Sequence, residues 1–181
     1  MELQEFKTKA LEVKNTFIFD EDNEKIFTYL LNKDKERGVL IIGGMGTGKT
    51  CVVKLFNEVL RKCNYDPYKF ADVRDICFDF MCKGYSEIEK YYREDYGDGN
   101  IKYPRLIIDD LGIENPLINY YGTQEDVISN LLFLRHGKRT LTHATTNLTL
   151  DMLKKRYGDR LFDRFNEMFE IFYLTGESKR K

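Results

Sequence analysis

The residues Gly43-Gly44-Met45-Gly46-Thr47-Gly48-Lys49-Thr50 fit the phosphate-binding pattern G-x-x-x-x-G-K-[ST]. Their setting constrains the fold as much as the motif does. Gly38-Val39-Leu40-Ile41-Ile42 before them is an apolar run of strand length. After them, Lys49 to Cys63 repeats Val52, Val53, Phe56, Val59, Leu60 and Cys63 at a helical period. A strand, a glycine-rich turn and a helix in this order build a cradle. Backbone N–H groups curl around phosphate oxygens, and the helix N-terminus adds partial positive charge. Lys49 can reach β- and γ-phosphates, and the Thr50 hydroxyl can ligate Mg²⁺. Cys51 falls in the first turn of the helix and completes the candidate nucleotide-binding segment. The expected ligands are ATP and Mg²⁺. A glycine-rich turn without a ligand is the plain alternative, and strand, loop, lysine and threonine together weigh against it.

A second apolar strand, Leu106-Ile107-Ile108, ends in Asp109-Asp110. Alone this pattern is common. Roughly 60 residues downstream of a phosphate loop it gains meaning, because both carboxylates reach the C-terminal edge of the sheet, where ligands bind. Asp109 is the candidate Mg²⁺ ligand beside Thr50, acting through water, and Asp110 the residue that orients an attacking water. Asn147 ends the β-branched run Thr140 to Thr146 and can reach a γ-phosphate or water; a turn-forming Asn is the competing reading. Arg160 and Arg164 lie four apart and share a helix face. With Asp159 and Asp163 interleaved, pattern alone favours a surface helix laced with ion pairs such as Arg160 with Asp163.

Strands and helices alternate along the chain, which argues an α/β protein with a parallel sheet covered on both faces. Helices are expected over Leu3 to Val13, after Asp20 or Asp22, over Asp72 to Cys82, and over Glu87 to Asp95 behind a Ser86 cap. Others are expected over Gln124 to Leu134 behind a Thr123 cap, over Leu150 to Tyr157, and from Asp159 to about Glu167. Strands are expected over Tyr68 to Ala71, Arg105 to Asp109, Thr140 to Thr146 and Phe169 to Leu174. The chain of 181 residues suits one domain, with 1–16 as an N-terminal helix and 17–181 as the core. No apolar run approaches the roughly 20 residues of a membrane span, and a cytoplasmic location is expected. Four cysteines without a C-x-x-C pair read as reduced, mostly buried thiols. His136 and His143 have no partner at a metal or triad spacing.

The resemblance becomes specific when the motifs are taken together. The phosphate loop, Ile107-Ile108-Asp109-Asp110-Leu111-Gly112, Ala144-Thr145-Thr146-Asn147-Leu148-Thr149 and Tyr157-Gly158-Asp159-Arg160-Leu161-Phe162-Asp163-Arg164-Phe165 follow in an order that resembles the DnaC/IstB-like AAA+ ATPases. That family contains helicase loaders and transposition helpers and is related to the initiator DnaA. The similarity runs from about Phe17 to the C-terminus. It implies a five-stranded sheet of order 5-1-4-3-2 sandwiched by helices. It also implies that Asn147 is the sensor 1 residue and that Arg164, assisted by Arg160, is an arginine finger reaching a neighbour's nucleotide. The ending Gly176-Glu177-Ser178-Lys179-Arg180 is similar to the tail of these loaders and gives Arg180 a sensor 2-like role. Many AAA+ proteins have Asp-Glu where this chain has Asp109-Asp110, and a side chain one methylene shorter is expected to slow hydrolysis.

The resemblance implies slow ATP hydrolysis to ADP, self-association through the nucleotide interface, and single-stranded DNA with a replicative helicase or transposase as partners. The net charge of −1 gives no global sign of nucleic acid. A local candidate is the run Lys83, Tyr85, Lys90, Tyr91, Tyr92, Arg93, Tyr96, Lys102 and Tyr103, which interleaves cations with aromatics. Glu87, Glu89, Glu94, Asp95 and Asp98 neutralise it, so an amphipathic segment packing its tyrosines on the core is an equal reading. An ATP-gated interaction module with little turnover and no DNA is the main alternative function. A small-molecule kinase fits less well, because the finger-like helix precedes the final strand.

Overall fold

The computed structural model describes residues 1–97, 99–176 and 178. Among them, β1 (Gly38–Gly43), β2 (Lys69–Asp72), β3 (Leu106–Asp109), β4 (Thr142–Thr146) and β5 (Phe169–Leu174) form one parallel sheet. Its order is β2-β3-β4-β1-β5, the expected 5-1-4-3-2 read from the opposite edge. The helices are α1 (Leu3–Val13), α2 (Glu21–Leu31), α3 (Lys49–Lys62), α4 (Val73–Lys83), the single turn α5 (Tyr85–Ile88), α6 (Val127–Gly137) and α7 (Leu150–Met168). None is long and apolar enough to cross a membrane.

The sheet is buried on both sides, as its continuous apolar strands require. Side chains alternate along β1. Val39 and Ile41 face a core built with α1, α2 and α3, including Phe6, Phe27 and Phe56. Leu40 and Ile42 face the other core, built with α4, α6 and α7 around Ile76, Leu131, Leu161 and Phe165. Asp20 caps α2 by accepting from Asn23 N at 2.9 Å, and Asp72 caps α4 by accepting from Arg74 N at 2.8 Å.

His143 is buried in β4, where its Nδ1 accepts from Val39 N at 2.8 Å. Burial pushes its pKa down to about 3, so the ring stays neutral. Among the described residues no group of His, Cys, Asp and Glu is arranged to hold a metal ion by itself.

Three local expectations fail, two of them for a visible reason. Glu87 to Asp95 is not a helix: after α5 and a 3-10 turn over Glu89–Tyr91, the chain pairs Glu94–Asp95 with Ile101–Lys102 as a hairpin. The Tyr91 carbonyl accepts instead from the fully buried Arg135, whose guanidinium also bonds Pro104 O, Leu141 O and Thr142 Oγ1. Burial alone lowers the Arg135 pKa to about 9. Thr123 is no cap, since it lies in a second hairpin pairing Ile118–Tyr120 with Thr123–Glu125; Asp126 caps α6, accepting from Ser129 N at 3.1 Å. Only Cys77 of the four thiols is buried, and Cys82 is exposed. The two expected helices at 150–167 do occur, joined end to end: Gly158, at φ 75° and ψ 163°, breaks α7 into two halves.

Candidate nucleotide-binding site

β1 delivers the glycine loop to the C-terminal edge of the sheet, and α3 leaves it at Lys49. The turn needs positive φ at Gly46 (82°) and Gly48 (99°), which glycine adopts without strain. At Gly46 there is a second reason. A Cβ there would lie 2.1 Å from Ser178 Oγ, because Ser178 rests against the loop. Arg180 lies outside the described residues. Thr47 closes the turn by donating from Oγ1 to Gly44 O at 3.0 Å. Met45 is 77% exposed at the crest, and Cys51 is half-buried with its Sγ 3.2 Å from Lys14 Nζ.

Lys49 is only 5% exposed. Its ammonium donates to Gly43 O and Gly44 O, both at 2.8 Å, and to Asn147 Oδ1 at 2.6 Å. The Asn147 amide in turn stands 3.5 Å from Asp110 Oδ1. The cation, the strand-tip amide and the second carboxylate therefore form one chain beside the loop. Asp110 occupies φ 59°, unusual for a residue other than glycine, and its N–H donates to Thr145 Oγ1 at 3.0 Å.

Asp109 is 5% exposed and accepts from Thr50 Oγ1 at 2.9 Å and Thr145 Oγ1 at 2.5 Å. Burial raises its pKa above the usual carboxylate range, and the two hydroxyl bonds oppose that shift. A buried, desolvated carboxylate beside a hydroxyl oxygen is a donor set that suits a hard divalent cation. Thr50 and Asp109 would hold Mg²⁺, with water filling the remaining positions.

This burial has a measurable consequence. The folded-state pKa of Asp109 is raised, so the folded state holds its proton more tightly than the unfolded chain. That contribution is present at low pH and is lost as pH rises through the folded pKa, leaving ionised Asp109 a net cost near neutrality. Asp109→Asn keeps an oxygen to accept from Thr50 and Thr145. It is expected to raise the metal-free melting temperature while removing any Mg²⁺ dependence of nucleotide binding. An unchanged or lower melting temperature, read by calorimetry at pH 7 in EDTA, contradicts this assignment.

Arg160 and Arg164 sit on the second half of α7, away from this cluster. The expected Arg160–Asp163 pair is not formed among the described residues. Both guanidinium groups lie over the Phe133 ring of α6, at 5.3 and 5.6 Å, and Arg164 Nη1 donates to Arg160 O at 2.8 Å. Neither bonds the phosphate loop of its own chain.

Sequence reasoning missed two charged features. Arg74 grips Asp72 at 2.6–2.9 Å and lies 3.9 Å from Asp110 Oδ2, a cation at the open side of the site. Deeper, Glu114 accepts from Gly112 N at 2.9 Å, Tyr157 OH at 2.6 Å and Arg156 Nη2 at 2.8 Å; Arg156 Nη1 also donates to Asp126 at 3.0 Å. The Glu114 side chain is 1% exposed. No spacing rule joins residues 42 apart.

The tyrosine-rich segment splits. Tyr91 is buried with its hydroxyl on Asp79, and Tyr92 packs on the core, whereas Tyr96 is exposed. Its cations are engaged: Lys90 with Glu87 and Asp79, Arg93 with Glu89, Lys83 with Glu87 and Lys102 with Asp66.

No protein-family model matches the sequence, and no curated protein resembles it closely enough to count as a relative. Solved structures do match. The DnaC helicase loader superposes with a TM-score of 0.66 at 19% identity, over 95% of this chain and 99% of that one. DnaI gives 0.68 at 18%, over 99% and 94%. The replication initiator DnaA bound to AMPPCP and single-stranded DNA gives 0.60 at 16%, over 90% of this chain and 49% of that one. The chain shares the fold of these DnaC, DnaI and DnaA structures. Within that fold, the glycine loop and both aspartates lie at one sheet edge, and the two arginines lie on the helix before the last strand.

Proposed function

We propose that this protein is a slow, Mg²⁺-dependent ATPase of AAA+ type whose active sites are completed by a neighbouring subunit. The observation that carries this is the convergence of Lys49, Asn147 and Asp110 on one side of the loop with Thr50 and Asp109 on the other. Backbone N–H groups of Gly44 to Thr50 hold the phosphates, and Lys49 leaves its carbonyl partners for phosphate oxygens. Bound Mg²⁺ would neutralise charge on the β- and γ-phosphates. Asp110 accepts a proton of the attacking water and aims it, and Asn147 fixes the geometry between them. Arg164 of the next subunit, with Arg160 beside it, stabilises the charge that spreads over the transferred phosphoryl group.

The task we assign is ATP-driven assembly in DNA replication or transposition. Support comes from the likeness to structures named as a helicase loader and as DnaA bound to single-stranded DNA. Single-stranded DNA and a helicase or transposase are the corresponding partners. The ion-paired cations of the tyrosine-rich segment favour the second reading, an ATP-gated interaction module without DNA. Binding of an oligonucleotide at low salt, with ATP present, separates the two, because phosphate contacts weaken steeply with salt.

Asp110→Asn tests the chemistry. It keeps Thr50 and Asp109, so Mg-ATP affinity is expected to stay within about threefold of wild type, while turnover falls at least ~10²-fold. ATP-bound assemblies should then accumulate on a sizing column. Loss of ATP affinity in a folded Asp110→Asn protein would mean that the two aspartates have been given each other's roles.

A further inference from the structure

The buried cluster around Arg156 joins the two halves of the proposed machinery. On one side is the turn that begins at Asp110. Ile113 N donates to Asp110 O, and Gly112 N donates to Glu114 Oε2, so the Glu114 carboxylate closes the turn carrying the water-orienting residue. On the other side are the two helices on which the finger arginines rest. Tyr157 and Arg156, both bonded to Glu114 Oε1, are the last residues before the Gly158 break in α7; Arg160 and Arg164 follow it. Arg156 also holds Asp126, the cap of α6, and α6 carries Phe133 beneath both guanidinium groups.

Removing one partner of a buried charge pair is costly, because it leaves the other charge uncompensated. Arg156 and Glu114 tie three separate elements together in this way: the Asp110 turn, α6 and α7. We propose that Arg156, clamped between Glu114 and Asp126, is a positioning residue that couples the Asp110 turn to the helix pair presenting Arg160 and Arg164. The proposal rests on the shared-site reading above and adds the internal link that reading lacks.

The test uses full-length chains in mixed assemblies. Lys49→Ala chains supply fingers but bind no ATP, and Arg164→Ala chains bind ATP but supply no finger, so turnover in the mixture comes only from sites between them. Glu114→Gln, close in shape to the native residue, and Tyr157→Phe, which keeps the packed ring, are placed first in the finger donor and then in the ATP-binding chain. Coupling predicts that Glu114→Gln lowers the rescued rate about three- to thirtyfold in either position. Tyr157→Phe should do so more weakly, with its melting temperature little changed, whereas Glu114→Gln lowers its chain's melting temperature because Arg156 loses one of its two carboxylates. Rates are therefore compared at a temperature where every chain is folded, and saturated with ATP where it binds. Loss only when the change sits in the ATP-binding chain reduces the cluster to a local support for Asp110 and overturns the proposal. Loss in neither position, or in strict proportion to a fall in melting temperature, overturns it as well. No turnover in the unmodified mixture overturns the shared-site reading itself, and this proposal with it.

Discussion

Lys49→Ala is expected to erase the thermal stabilisation that Mg-ATP gives the wild-type protein. At ATP near one hundred times Kd, mass action adds about 2.7 kcal/mol to the folded state. For a chain of 181 residues that is a shift of roughly 5–11 °C. The alanine protein should shift by less than about 1 °C at the same ATP concentration, because the substitution deletes the charge aimed at the phosphates. The ligand-induced shift must be compared, not the absolute melting temperature. Lys49 also bonds Gly43 O, Gly44 O and Asn147, so its removal changes the ligand-free protein too. Equal shifts in both proteins contradict the phosphate loop as the binding site.

Arg164→Ala is expected to leave ATP binding intact and to remove most hydrolysis, about 10³-fold, within the range of arginine fingers. The structure gives this residue little to do for its own chain. It is half-buried, bonds one carbonyl of its own helix and covers an aromatic ring, so the folding cost should stay within about 1 kcal/mol. A large catalytic loss with a small folding loss is what separates a finger from a packing residue. Mixing the Arg164→Ala and Lys49→Ala proteins should restore part of the rate, since each supplies what the other lacks. A mixture as inactive as its components, with both chains folded and assembly confirmed, contradicts a shared site.

The parts of the molecule that a sequence shows are those written in local pattern. The apolar run of β1, the helical stripe of α3 and the Asp109-Asp110 strand end are contiguous in the chain, and each appears where periodicity put it. The break of α7 at Gly158 was visible for the same reason. What was hidden depends on partners far away in sequence. Glu87 to Asp95 has a helical stripe, but Arg135 claims the Tyr91 carbonyl, and Tyr91 itself enters the core with its hydroxyl on Asp79. Thr123 and Asp126 are both acceptable caps by residue type; pairing of Thr123 with Tyr120 decides between them. Pattern makes Arg160 and Arg164 ion-paired residues of a surface helix, whereas both guanidinium groups lie over Phe133 of α6. Glu114 and Arg156 carried no signal, because a buried pair is recognisable only once the elements that bury it are placed.

Asp109 and Thr50 illustrate the middle case. Their residue types and spacing suggested a metal pair, and the structure puts their oxygens 2.9 Å apart. The raised pKa of Asp109 could not be read from sequence, since it follows from desolvation between β4 and α3.

A site shared between subunits makes hydrolysis depend on assembly, because one subunit's nucleotide needs an arginine from another. Steady-state ATPase rate per subunit, measured on the wild-type protein across a hundredfold range of concentration at saturating Mg-ATP, addresses it directly. A shared site predicts a rate that climbs steeply as assembly sets in and then levels off. A rate per subunit that is constant over the whole range, in a protein shown by sizing to pass from monomer to assembly within it, contradicts the account.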